Sequence, residues 1–150
     1  GLSAAKAALG DVADIVALYT TDPSRPRART ISQALTRVVR ARAVNPRFIA
    51  GQMRHGPRGA AELLETVDRL IGFAETTNVV SSSLIESLYD AYLGDEAVRD
   101  FLLLENPTAA RVMAERFLSA RRRGLWHSRR NAVDAELEML ILPFSERRKA

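Results

Sequence analysis

The sequence predicts an all-α protein of six or seven helices behind an irregular N-terminal arm. Three observations carry this expectation. Apolar residues recur at helical spacing from residue 30 to residue 142. No β-branched run alternates with period two between turn residues. Gly, Pro and capping Asn, Ser or Asp fall between the periodic segments. The 150 residues are 47% hydrophobic and 27% charged, a balance that supports a buried core and argues against long disorder.

Taken in order, Ser3 to Leu9 reads as a short alanine-rich helix ended by Gly10. "ADIVALY" fits a helical turn or a short strand. "DPSRPRAR" reads as an extended arm, because two prolines in four residues break a helix. Helix signals return at Thr30, with Ile31, Leu35, Val38, Val39 and Arg42 on one face. Asn45 as N-cap and Pro46 at the first helical position start a short helix that Gly56 ends in a left-handed conformation. After Pro57 a long helix runs to about Thr77, its stripe made by Leu63, Leu64, Val67, Leu70, Ile71 and Ala74. A serine caps the next helix, which buries Leu84, Ile85, Leu88, Tyr89 and Tyr92 and stops at Gly94. Asp95 caps "EAVRDFLLLE". Asn106 and Pro107 start the helix of Val112, Met113, Phe117 and Ala120, which Gly124 ends. "LWHSRRN" is a turn, and "AVDAELEMLIL" is the last helix, ended by Pro143. The expected organisation is therefore residues 1–29 as a short helix and Pro/Arg arm, 30–142 as a helical domain, and 143–150 as a basic tail.

Several chemistries are excluded. There is no cysteine, hence no disulfide, thiolate metal site or thiol nucleophile, which fits a reducing compartment. No P-loop, dinucleotide-binding or HExxH motif occurs. The two histidines stand 72 positions apart, so no local His pair binds metal. No apolar run approaches the roughly 20 residues of a membrane span. Net charge is +4 with a pI near 10.1, and the basic excess is arginine, suited to carboxylates or phosphates.

Two clusters remain. "NPRFIAGQMRHGPRGAAEL", Asn45 to Leu63, places His55 between Arg54 and Gly56, with Arg47, Arg58, Glu62 and Glu65 around it. His55 is either a helix-end residue facing the last carbonyls or a group that takes a proton near neutral pH. Arg47 and Arg54 share a face of a regular helix and are either solvated or an anion clamp. Arg58–Glu62 and Glu65–Arg69 are spaced for surface ion pairs, which competes with acid–base work by the glutamates. "RRRGLWHSRRN" gathers five arginines, Trp126 and His127. It reads as a basic helix end anchored by Trp126, as a stacking surface for single-stranded nucleic acid, or as a platform for a large flat cofactor.

"NPRFIAGQMRHGPRGAAEL", "VDRLIGFAETTNVV", "YDAYLGDEAVRDFLLLENPTAARVMAERFLSARRRGLW" and "SRRNAV" occur in that order. Together they resemble the C-terminal part of the large subunit of class I, ATP-dependent chelatases, the CobN-type cobaltochelatases and magnesium chelatase H subunits. The "SRP" arm and "NPRFIAGQMRHG" look closer to the cobalt branch. The resemblance runs from about Thr30 to Leu140. Phe48 stands where the family often has tryptophan, which keeps the aromatic packing and loses the indole N–H.

The resemblance implies a ligase forming nitrogen–metal bonds, with cobalt(II) inserted into hydrogenobyrinic acid a,c-diamide in aerobic cobalamin biosynthesis. It implies a cytoplasmic assembly in which separate AAA+ and integrin-like subunits hydrolyse ATP. The present 150 residues, which begin at Gly1, would be the last part of a subunit of over a thousand and inactive alone. The matching residues are His55 and Glu62 as catalytic groups, His55 also as a metal ligand, and Arg47, Arg54, Arg58, Arg130 and Asn131 as substrate-binding groups. Expected partners are the rest of the large subunit, the two other subunits and the tetrapyrrole, with no membrane and no nucleic acid. The alternatives are a magnesium-branch fragment, or a helical module that docks partner subunits without touching substrate.

Overall fold

A computed structural model describes residues 28–142. The Ser3–Leu9 helix, "ADIVALY", most of the Pro/Arg arm and the 143–150 tail lie outside the described residues. Helix α1 spans Ala28–Val38, α2 Pro46–Met53, α3 Gly56–Thr76, α4 Ser82–Ala91, α5 Glu96–Glu105, α6 Pro107–Arg122 and α7 Val133–Ile141. No strand occurs among the described residues, as the periodicity predicts.

The expected starts coincide with side-chain caps. Asn45 accepts from the Arg47 N–H at 2.8 Å, Ser81 from Leu84 at 3.2 Å, Asp95 from Val98 at 3.1 Å and Asn106 from Ala109 at 3.1 Å. Each satisfies an N–H that the first helical turn leaves unpaired. One departure concerns α1. Its expected regular face is interrupted by a π turn at Val39–Ala43, which still buries Leu35, Val38, Val39 and Ala43. The buried Tyr92 hydroxyl holds that turn by donating to the Ala43 carbonyl at 2.7 Å.

The long helices α3 and α6 form the centre. Helix α3 packs on α2, α4, α5 and α6, while α6 also packs on α5 and α7. Leu63, Val67, Leu70 and Ile71 of α3 are buried as predicted, and Phe73 and Thr66 join them. The predicted α4 face is buried in full, with Leu84, Ile85, Leu88, Tyr89 and the following Tyr92. Trp126 folds back from the α6–α7 turn into the core. Its indole N–H donates to the Phe117 carbonyl at 3.0 Å, and its ring meets Tyr89 and Phe117 at centroid distances of 5.3 and 5.8 Å. Burying that ring contributes several kcal/mol of apolar transfer. It closes the C-terminal end of the bundle.

Candidate functional site

The α2–α3 corner is a close backbone crossing. The carbonyl of Gln52 accepts the His55 N–H at 2.9 Å. Gly56 turns the chain at φ +56°, a left-handed conformation that glycine adopts without strain. Gly59 lies directly against the end of α2: a Cβ there would sit 1.7 Å from the Gln52 carbonyl oxygen. Both glycines are therefore structural requirements of the corner. A second corner braces it. Asn106, besides capping α6, donates its side-chain amide to the Pro57 carbonyl at 3.2 Å. The Glu105 carboxylate stands over Gly56, 3.1 Å from where a Cβ would be.

This braced corner carries an open depression of about 360 Å³ lined by Gln52, His55, Arg58 and Glu62. Three of the predicted site residues, His55, Arg58 and Glu62, thus converge. Arg58 and Glu62 do not form the i,i+4 ion pair their spacing allows, whereas Glu65 and Arg69 do, at 2.7 Å. His55, Arg47, Arg54 and Arg58 are exposed, and their side chains make no ion pair among the described residues. The corner thus gathers an imidazole, a carboxylate and a guanidinium around one depression, with no ion pair among them. Such a set can bind an anion and move a proton. Among the described residues no three His, Asp or Glu side chains converge on one metal position, so His55 and Glu62 could supply only part of a coordination shell. Gln52, Glu105 and Asn106 were not identified from sequence. Gln52 is signalled by its place one turn before His55. The other two needed knowledge of which corner packs on which.

Arg130 and Asn131 do not reach this depression. Arg130 bonds Asp90 at 3.1 Å and lies over the Tyr89 ring at 5.9 Å, and Asn131 is exposed in the turn before α7. Partial burial raises the Asp90 carboxyl above its usual range; Arg130 opposes that shift and Glu86 adds to it. The fold thus favours protonated Asp90, and its contribution is lost as pH rises, so the Arg130 pair is not a strong stabiliser.

The arginine–tryptophan cluster has a different character. Arg121 bonds Asp134 at 2.5 Å and lies 5.0 Å over Trp126. Arg122 pairs with Glu138 at 3.1 Å, Arg123 with Glu75, and Arg116 with Asp68 at 2.9 Å. A groove of about 550 Å³ runs beside them, larger than the corner depression, but its arginines already hold carboxylates. Trp126 is fully buried and offers no face to a base or a flat cofactor. Both of those uses of the tryptophan are therefore corrected: the ring anchors the turn. At Phe48, the Arg42 guanidinium covers the ring at 5.4 Å, an aromatic contact that needs no indole N–H.

The sequence profile of the CobN/Magnesium Chelatase family matches residues 1–133. The chain belongs to the CobN/Magnesium Chelatase family. A Pseudomonas aeruginosa aerobic cobaltochelatase subunit CobN is 48% identical over 134 residues, 87% of this chain and 11% of that protein. A Sinorhizobium aerobic cobaltochelatase subunit CobN is 44% identical, over 91% of this chain and 11% of its own length. The H-type subunit of the Cereibacter sphaeroides magnesium chelatase is 33% identical over 82% of this chain and 10% of its own length. The solved catalytic subunit of cobaltochelatase from Mycobacterium tuberculosis superposes with a TM-score of 0.71 at 39% identity, covering 81% of this chain and 10% of that one. The chain thus spans about a tenth of the length of these CobN/Magnesium Chelatase relatives. No helix among the described residues is long and apolar enough to cross a membrane.

Proposed function

We propose that the chain is the C-terminal domain of a cobaltochelatase large subunit, contributing to ATP-dependent insertion of cobalt(II) into hydrogenobyrinic acid a,c-diamide in the cytoplasm. The observation that carries the reading is the α2–α3 corner, where His55, Arg58 and Glu62 line one depression without neutralising each other. The higher identity to cobalt-branch subunits, 48% and 44% against 33%, supports the choice of metal.

Insertion has to strip water from the ion, deform the macrocycle and remove two pyrrole N–H protons. A neutral His55 imidazole accepts such a proton at a ring nitrogen, and Glu62 beside it stabilises the resulting imidazolium. Arg58, Arg54 and Arg47 pair with the macrocycle's carboxylates, and Arg130 and Asn131 do so only if the substrate extends towards α4. Cobalt is substrate here, met transiently by His55 with further donors from the tetrapyrrole or the rest of the large subunit. AAA+ and integrin-like subunits supply ATP hydrolysis. Residues 1–150 alone lack that machinery and are inactive.

The test is reconstitution of the full-length large subunit with both partner subunits and ATP. Cobalt should enter hydrogenobyrinic acid a,c-diamide and magnesium should not. Arg54→Gln with Arg58→Gln should raise KM for the tetrapyrrole more than it lowers kcat. Insertion of magnesium instead would move the protein to the magnesium branch. An unchanged KM would leave the corner as a docking element that does not touch substrate.

A further inference from the structure

Three of the four capping side chains bond only within their own stretch of chain. Ser81 meets Leu84 and Ser83, Asp95 meets Val98, and Asn45 accepts from Arg47 while its amide donates to the Ala41 carbonyl at 3.2 Å. Asn106 differs. Its Oδ1 accepts the Ala109 N–H at 3.1 Å, and its Nδ2 donates to the Pro57 carbonyl at 3.2 Å, 49 residues away. Capping alone does not select this residue, since Asn, Asp and Ser cap about equally well. Aspartate has no donor to offer, and serine carries both functions on one short-armed oxygen. Only the amide reaches both partners. Pro57 lies two residues after His55, in the first turn of α3. That turn lacks a cap of its own: the His55 side chain makes no capping bond and no acidic residue follows it there. It is held from outside instead. Gly59 rests against the Gln52 carbonyl of α2, while Glu105 brings a carboxylate over Gly56, where the helix dipole favours an anion.

We propose that Asn106 is a positioning residue for His55: its amide, bonded to the Pro57 carbonyl, fixes where the start of α3 presents the imidazole to the tetrapyrrole. The role given to Asn106 rests on the corner acting on substrate, as proposed above. Proton transfer needs the two heavy atoms within hydrogen-bond reach, and a shift of about 1 Å can cost as much as 100-fold in rate. A single neutral hydrogen bond at the surface contributes little to stability. Loss of the Asn106–Pro57 bond therefore registers in the rate of insertion far more than in the thermal midpoint, provided that the α6 cap is kept.

The experiment is a double-mutant cycle on cobalt insertion by the full-length large subunit with both partner subunits and ATP. Asn106→Ser keeps a cap for α6 but cannot span to Pro57, and should lower kcat about tenfold with a thermal midpoint near wild type. Asn106→Asp also keeps the cap, turns a carboxylate oxygen towards the Pro57 carbonyl, and should lose at least as much. In a His55→Ala background, Asn106→Ser should change the remaining rate by no more than about twofold, because the group it positions is gone. Ser81→Ala, which removes a cap remote from the corner, should lower the thermal midpoint and leave the insertion rate alone. If Asn106→Ser inserts cobalt at the wild-type rate while His55→Ala is slow, the positioning role is overturned and the corner reading stands. An equal loss from Asn106→Ser with and without His55 would show that it acts through the fold at large, which also overturns the role. A wild-type rate for His55→Ala would remove the corner reading and this role with it.

Discussion

The corner at residues 45–62 and the turn at residues 121–131 are built from the same materials. Each has several arginines, one histidine and a glycine at positive φ. They differ in what surrounds them. In the turn, Arg121, Arg122, Arg123 and Arg130 each hold a carboxylate, and Trp126 is sealed in the core. At the corner, Arg47, Arg54, Arg58 and His55 are exposed with no ion pair among the described residues. An arginine cluster becomes a candidate site when the fold withholds its counter-ions, and an aromatic among the arginines does not by itself make one.

The comparison can be broken most severely at the turn. Trp126→Ala should cost about 3–5 kcal/mol and show as a large fall in the denaturation midpoint. The corner has its own structural demand. Gly59→Ala drives a Cβ into the Gln52 carbonyl and should destabilise by roughly 3 kcal/mol. Gly72→Ala, with nothing within 4 Å of its Cβ position, should be neutral or stabilise by up to about 1 kcal/mol. Equal effects of the two substitutions in urea titrations would refute the close crossing.

Smaller effects sharpen the picture of the turn. Ala132 holds φ 64° at the start of α7, so Ala132→Gly should stabilise by about 1 kcal/mol. Arg122→Gln removes an exposed pair and should cost no more than about 1 kcal/mol. Burial raises both core tyrosines above the usual range, with the Glu136 hydrogen bond adding at Tyr89. Because their folded values are raised, the stability linked to them is intact below about pH 10 and is lost as pH climbs through the folded values. Alkaline ultraviolet titration should show Tyr89 and Tyr92 ionising only well above pH 10, together with unfolding. Ionisation of both near pH 10 in the folded protein would contradict their packing.

Much of this fold is legible in the sequence because its signals are local. The four polar caps at Asn45, Ser81, Asp95 and Asn106 and the stripes of α3 and α4 depend on residues within a few positions of each other. The π turn at Val39–Ala43 is not legible, since a buried hydroxyl 49 residues away fixes it. The site is legible in part. His55, Arg58 and Glu62 fall within two helical turns of one another and converge. Glu105 and Asn106 join them only because α5–α6 packs on the corner. The fate of Trp126 depended on whether the bundle had room for its ring, which composition does not state.

The central claim is that His55 at the corner acts on the reaction, while Trp126 and His127 of the turn do not. The direct test uses the two exposed histidines, one in each region, in the full-length large subunit with its partner subunits. His55→Ala should lower cobalt insertion on the order of 100-fold, the scale of a lost proton acceptor. Its thermal midpoint and the ATP hydrolysis of the partner subunits should stay near wild type. His127→Ala should leave all three unchanged. If His55→Ala inserts cobalt at the wild-type rate, or if both variants fall together, the corner is a helix junction and the claim is wrong.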